Sequence, residues 1–141
     1  HLLEKSLPPL GPAQWMHLSK PLREMRIALV TTAGIHFRGD TSFEFADTTF
    51  RPISGEDGDD LVMSHSSVNF DKTGFTEDIN VVFPIDRFKE LVSQGEIGSL
   101  AEIHYSFMGA GLLPNAYEFH ASEVARLLKQ DKVDAVFLTP V

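Results

Sequence analysis

Hydrophobic and polar residues alternate along this chain in two distinct ways. MRIALVTTAG, residues 25–34, is a continuous aliphatic and β-branched run ending in small residues, the pattern of a central parallel strand covered on both faces. VDAVFLTPV, residues 133–141, has the same character and reads as a second buried strand, and IHYSFMGAG, residues 103–111, reads as a third that enters a glycine-rich turn. Between them the apolar spacing becomes helical. FPIDRFKELVSQG puts Pro84 at a helix start, Asp86 in the first turn, Ile85, Phe88, Leu91 and Val92 on one face, and Gly95 at the end. PNAYEFHASEVARLLKQDK predicts a second helix, with Asn115 as cap, Glu118 three residues on, and a stripe of Tyr117, Ala121, Val124 and Leu128.

The remaining signals are shorter. TFRPIS and DLVMSH are strand candidates joined by GEDGD, a polar turn that suits a hairpin, and Pro52 confines the first of them to a sheet edge. Residues 1–24 contain Pro8, Pro9, Pro12 and Pro21, which break helices. This stretch predicts an extended Pro-rich arm anchored by Trp15, Met16 and Leu18. Strand, helix, strand, helix, strand in the second half implies βαβ crossovers. The fold class that follows is α/β, a mainly parallel sheet with flanking helices of flavodoxin-like or Rossmann-like type, over residues 25–141 and incomplete at its C-terminus.

Composition narrows the functions open to such a domain. With 141 residues and 43% hydrophobic content the chain can bury a real core. Twenty acidic against twelve basic residues give a formal charge of −8, which argues against nucleic acid or anionic membrane surfaces as partners. No apolar run approaches the ~18 residues of a membrane span, and the first ten residues lack the order of a secretion signal, so a cytoplasmic location is expected. The absence of cysteine excludes a disulfide framework and a thiolate metal site within these residues.

In open parallel sheets ligands bind beyond the carboxyl ends of the strands. TTAGIHFRGD and SFMGAGLLPN are the loops that qualify, together with whatever follows LTPV. His36, His65 and His104 cluster in these loops and strand ends as candidate proton donors, anion contacts or metal ligands, against the simpler reading of ordinary hydrogen-bonded histidines. Arg38 offers a two-pronged contact to a carboxylate, against a surface pair with Asp40. EDGDD lacks the order of a calcium loop, Ser64-His65 and Ser106 lack a GxSxG elbow, and no dinucleotide or P-loop glycine pattern occurs.

The ordered series MRIALVTTAGIHFRGD, SFEF, FRPI, MSHSSVNF, DINVVFPIDRFKELV, GEIGSLAEIHYSFMG and VDAVFLTPV resembles the selenoprotein B family of glycine, sarcosine, betaine and D-proline reductases, most of all the shorter D-proline reductase subunit. The likeness covers about residues 17–141. It implies a subunit for reductive C–N cleavage of an amino acid or related amine, with selenocysteine or cysteine immediately after Val141 and a second cysteine two residues further on. It also implies a pyruvoyl group on a partner subunit as electron sink, a thiol or dithiol electron donor, an oligomer, and no activity from these residues alone. His36, Ser64, His65, His104, Met108 and Gly109 are the pocket-lining candidates that the resemblance supplies, with Thr139 beside the nucleophile. Two other readings stand beside it: a non-catalytic α/β module for a small ligand or scaffold role, and a metal-dependent hydrolase built on the three histidines.

Overall fold

The computed structural model describes residues 12, 16–56, 60–67 and 72–141. Its strands are β1 (Arg26–Thr31), β2 (Ile35–Phe37), β3 (Phe50–Ser54), β4 (Leu61–Met63), β5 (Ser99–Leu100), β6 (Ile103–Phe107) and β7 (Ala135–Thr139). The helices are α1 (Thr73–Glu77), α2 (Ile85–Ser93) and α3 (Glu118–Gln130).

The long apolar run becomes the centre of a five-stranded sheet. β5 pairs with the start of β1 and β6 with its end, both parallel, so the two act as one interrupted strand along a single edge. β7 pairs with β1 in parallel over Ile27–Thr31, which places it on the opposite edge. β3 closes the β6 side as an antiparallel edge strand. The order across the sheet is therefore β3, β6, β1, β7, and the chain reverses its direction of travel at β1. This is the expected α/β class, with a mainly parallel sheet.

Leu29 and Val30 are neighbours in β1 and so face opposite sides of the sheet. Leu29 joins Ala33, Ile35, Ile53, Phe83 and Ile85 in one cluster. On the same face Ile27 meets Met25 and Ile97 with Phe88, Leu91 and Val92 of α2. Val30 packs on the other face with Tyr105, Phe107 and Val124 under α3. The α2 crossover runs from β1 to β6 over one face and the α3 crossover from β6 to β7 over the other, as a common handedness requires.

Four expectations are corrected. GEDGD does not join a hairpin: β3 pairs with β6, whereas β4 pairs with β2 in a separate two-stranded sheet. Asn115 does not cap α3, because residues 114–117 form a 3-10 turn and the helix begins at Glu118. β7 is not a buried strand. Val136, Phe137 and Leu138 are 39%, 43% and 67% exposed, since β7 is the outermost strand and only Phe137 meets an α2 ring, that of Phe88 at 4.9 Å. In the arm, Met16 and Leu18 are exposed and anchor nothing, and Trp15 lies outside the described residues. Pro52 does sit on the edge strand, where its missing N–H removes no ladder bond from the sheet interior.

Candidate functional site

The carboxyl ends of β1, β6 and β7 converge on Thr32. Its backbone N–H donates to the Thr139 carbonyl at 3.1 Å, and its hydroxyl accepts from the Val141 N–H at 2.9 Å. Thr31, fully buried, donates its hydroxyl to the same Thr139 carbonyl at 3.3 Å and accepts from the Ala33 N–H at 3.2 Å. These bonds fix the exit of the chain from β7 against the end of β1.

Gly109 makes the close approach possible. It has φ +73°, and a Cβ there would lie 2.5 Å from the Thr32 Cβ and 2.8 Å from the Thr32 carbonyl oxygen. Beyond it opens a crevice of about 280 Å³ between these strand ends and the approach to α3, bounded by Thr32, Phe107, Gly109, Leu112, Pro114, Tyr117 and Ala121. Its walls are mostly apolar, and among the described residues no charged group lines it. The Tyr117 hydroxyl and the Thr139 hydroxyl are buried without a hydrogen-bond partner. Burial pushes the Tyr117 phenol above its ordinary pKa, helped by the Asp47 carboxylate, so it stays protonated.

The β2–β4 sheet hangs from this edge. Gly34 donates to the Phe107 carbonyl at 2.8 Å, and Ser64 donates its backbone N–H to the Gly34 carbonyl at 2.9 Å. A Cβ on Gly34, with φ +65°, would press on the His65 backbone at 3.1 Å. Ser66 lies 3.1 Å from the Met108 sulfur through its hydroxyl. Met108 itself is fully buried. Burial lowers the His65 pKa, with the Lys72 ammonium acting in the same direction.

His36 and Ser64 form a directed pair. The His36 Nδ1 lies 2.7 Å from the Phe37 carbonyl, which can only accept, so Nδ1 carries the proton. In the neutral ring Nε2 is then bare, and the Ser64 hydroxyl donates to it at 2.7 Å. His36 is 2% exposed, so Ser64→Ala leaves a buried lone pair without a donor. The expected cost is about 1–2 kcal/mol. A urea titration checks this, with the His36 tautomer unchanged in its ¹⁵N spectrum because the Phe37 contact survives.

The structure thus brings His65, Met108, Gly109 and Thr139 to one edge with the His36–Ser64 pair attached through Gly34. His104 and Arg38 stand apart. Arg38 pairs with Asp60 at 3.2 Å, both strongly exposed, rather than with Asp40. His104 lies near the amino end of β6. Local sequence does not single out Ser66, offers Tyr117 only as helix stripe, and offers Thr32 only as a small residue of the TTAGIHFRGD loop. Among the described residues no group of three His, Cys, Asp or Glu could hold a metal ion. Among them, too, no helix is long and apolar enough to cross a membrane.

Comparison with known proteins identifies the family of the chain. A family model described as glycine/sarcosine/betaine reductase selenoprotein B matches residues 8–141. The chain is 40% identical over 136 residues to the D-proline reductase subunit gamma of Acetoanaerobium sticklandii, covering 94% of this chain and 55% of that protein. It is 33% identical over 127 residues to the glycine reductase complex component B subunit gamma of Symbiobacterium thermophilum, covering 85% and 29%. The sarcosine reductase complex component B subunit beta of Peptoclostridium acidaminophilum is 32% identical over 128 residues, again 85% and 29%. The chain therefore spans about half the length of the first of these relatives and under a third of the others. No solved structure matches.

Proposed function

This chain belongs to the glycine/sarcosine/betaine reductase selenoprotein B family, and from that premise we propose that it is the N-terminal part of a reductase subunit that cleaves a C–N bond of a small amino acid or related amine. In this reading a selenocysteine or cysteine follows Val141 and acts as the nucleophile. The observation that supports it is the 2.9 Å bond from the Val141 N–H to Thr32, which holds Val141 beside the crevice that Thr32 lines. The exposed apolar side chains of β7 support a longer polypeptide, because parallel sheets are ordinarily covered on both faces.

The residues of this chain bind and orient. Phe107, Leu112 and Ala121 give the crevice an apolar wall for the carbon skeleton of the substrate, and the Tyr117 hydroxyl offers it a hydrogen bond. With no charged group lining the crevice, a substrate carboxylate finds its cation on another segment or subunit. The turn that leads into α3 borders the same space through Pro114 and Tyr117. In this reading the His36–Ser64 pair, tied to the same edge through Gly34, passes a proton to the departing amine. A pyruvoyl group on a partner subunit would supply the electron sink. The partner, the external dithiol donor and a cytoplasmic oligomer complete the proposal. The complex names of the glycine and sarcosine relatives support partner subunits.

The full-length product, expressed with selenocysteine incorporation, tests this. Mass spectrometry is expected to find selenium or a cysteine sulfur at the residue after Val141, and alkylation of that residue is expected to stop dithiol-dependent amine release. Any other residue at that position overturns the proposal.

A further inference from the structure

A second recess lies at the opposite end of the sheet. It occupies about 560 Å³ where the end of β3 meets the start of β6, and Gly55, Glu56, Lys89, Glu102 and His104 line it. Because β6 runs away from this point toward the carboxyl-edge crevice, the two spaces are separated by the length of the strand.

His104 is fully buried and edge-on to Phe83, with ring centroids 5.6 Å apart. The Leu29 N–H donates to its Nδ1 at 2.9 Å, so the proton of the neutral ring is on Nε2. Among the described residues that Nε2–H has no partner. An unmade hydrogen bond at a buried donor is costly, which makes the group a ready contact for an acceptor arriving from outside. Gly55 leaves room beside the ring on the side of the recess: a Cβ there would lie 3.2 Å from Nε2. Its backbone is not among the positive-φ glycines, so space rather than conformation calls for the missing side chain.

The charges around the recess have both signs. Lys89 has only a loose contact to Asp86, 3.8 Å, with both groups about half exposed, so its ammonium is available. Glu56 and Glu102 supply two carboxylates on the same walls. A simple anion accepting from His104 would meet those carboxylates, and a simple cation would find an N–H pointed at it. A molecule carrying both charges satisfies each group.

We propose that this recess binds a small zwitterion of the amino-acid type, its carboxylate accepting from His104 Nε2–H beside Lys89 and its ammonium facing Glu56 and Glu102. The site is distinct from the carboxyl-edge crevice and is suited to a ligand that modulates rather than reacts. It does not depend on the reductase reading.

The test is an NMR titration of the full-length chain, following the His104 Nε2–H resonance with glycine, acetate and methylammonium as separate probes. Glycine is expected to shift it saturably, with acetate and methylammonium at least tenfold weaker. Gly55→Ala and Lys89→Met are each expected to weaken glycine at least tenfold, while Thr32→Val in the other crevice leaves it unchanged. Thermal melts establish that each variant is folded. Equal binding of acetate, no saturable shift with any probe, or loss of the shift in Thr32→Val would each overturn the assignment.

Discussion

Replacing Gly109 with alanine is expected to destabilise the domain by about 3 kcal/mol or more, the largest effect of any single methyl group added to the site. Two costs combine. The left-handed backbone at φ +73° is strained for any residue with a Cβ, at roughly 1 kcal/mol or above. The new methyl group would also lie 2.5 Å from the Thr32 Cβ and 2.8 Å from its carbonyl, and relieving that contact must move the end of β1. Overpacking of this kind costs about 1–3 kcal/mol. Gly111 is the internal control. It has φ +86°, but its Cβ would meet only the ring of Phe45, which is 75% exposed and free to swing aside. Gly111→Ala is therefore expected to cost about 1 kcal/mol. Urea midpoints of the two variants measure the difference, and near-equal midpoints would show that the Thr32 contact relaxes without consequence. The displacement also reaches the end of β7, because Thr32 holds the Val141 backbone.

The strands that met their partners through local chain logic were legible. The apolar run of β1, the helix from Ile85 and the edge position of Pro52 each follow from spacing or from a missing donor. The GEDGD segment shows where local logic stops. Its composition encodes a reversal of the chain, but which edge each flanking strand meets is a long-range matter, and Ile53 pairs with His104, far along the chain. α3 starts late because the Pro114–Tyr117 turn takes up the residues that looked like a capping box.

The site divides in the same way. Met108 and Gly109 follow β6 out to the carboxyl edge, and Gly34 ties Ser64 to it. His104 is only four residues from Met108 in sequence, but in a strand that is about 13 Å. Closeness along the chain placed it in the crevice; the extended backbone puts it toward the far edge. The His36–Ser64 pair depended on β2 meeting β4 across twenty-eight residues of sequence, which no spacing rule supplies.

Stability is expected to fall by about 3 kcal/mol as the pH drops from 7.5 to 4, chiefly through His104. Burial, aided by the Lys89 charge, lowers its pKa from 6.5 to about 4 in the folded protein. Between those values the unfolded chain carries the proton and the folded chain does not. Acid therefore favours unfolding throughout this window, and the effect levels off below pH 4. The gap in pKa corresponds to roughly 3 kcal/mol at most. His65, whose pKa is lowered by burial, acts in the same direction. Asp47, Asp78 and Asp134 have pKa values below 3.8, and the stability they contribute is lost mainly at still lower pH, so they do not obscure the imidazole. His104→Gln is the decisive comparison, since an amide oxygen can replace Nδ1 as acceptor for the Leu29 N–H without titrating. The variant is expected to start less stable at pH 7.5 and to lose far less on acidification. Urea titrations of both proteins at pH 7.5, 5.5 and 4.5 check this. A parallel decline in the two would move the acid sensitivity away from His104, and with it the conclusion that the ring is held neutral with its proton on Nε2.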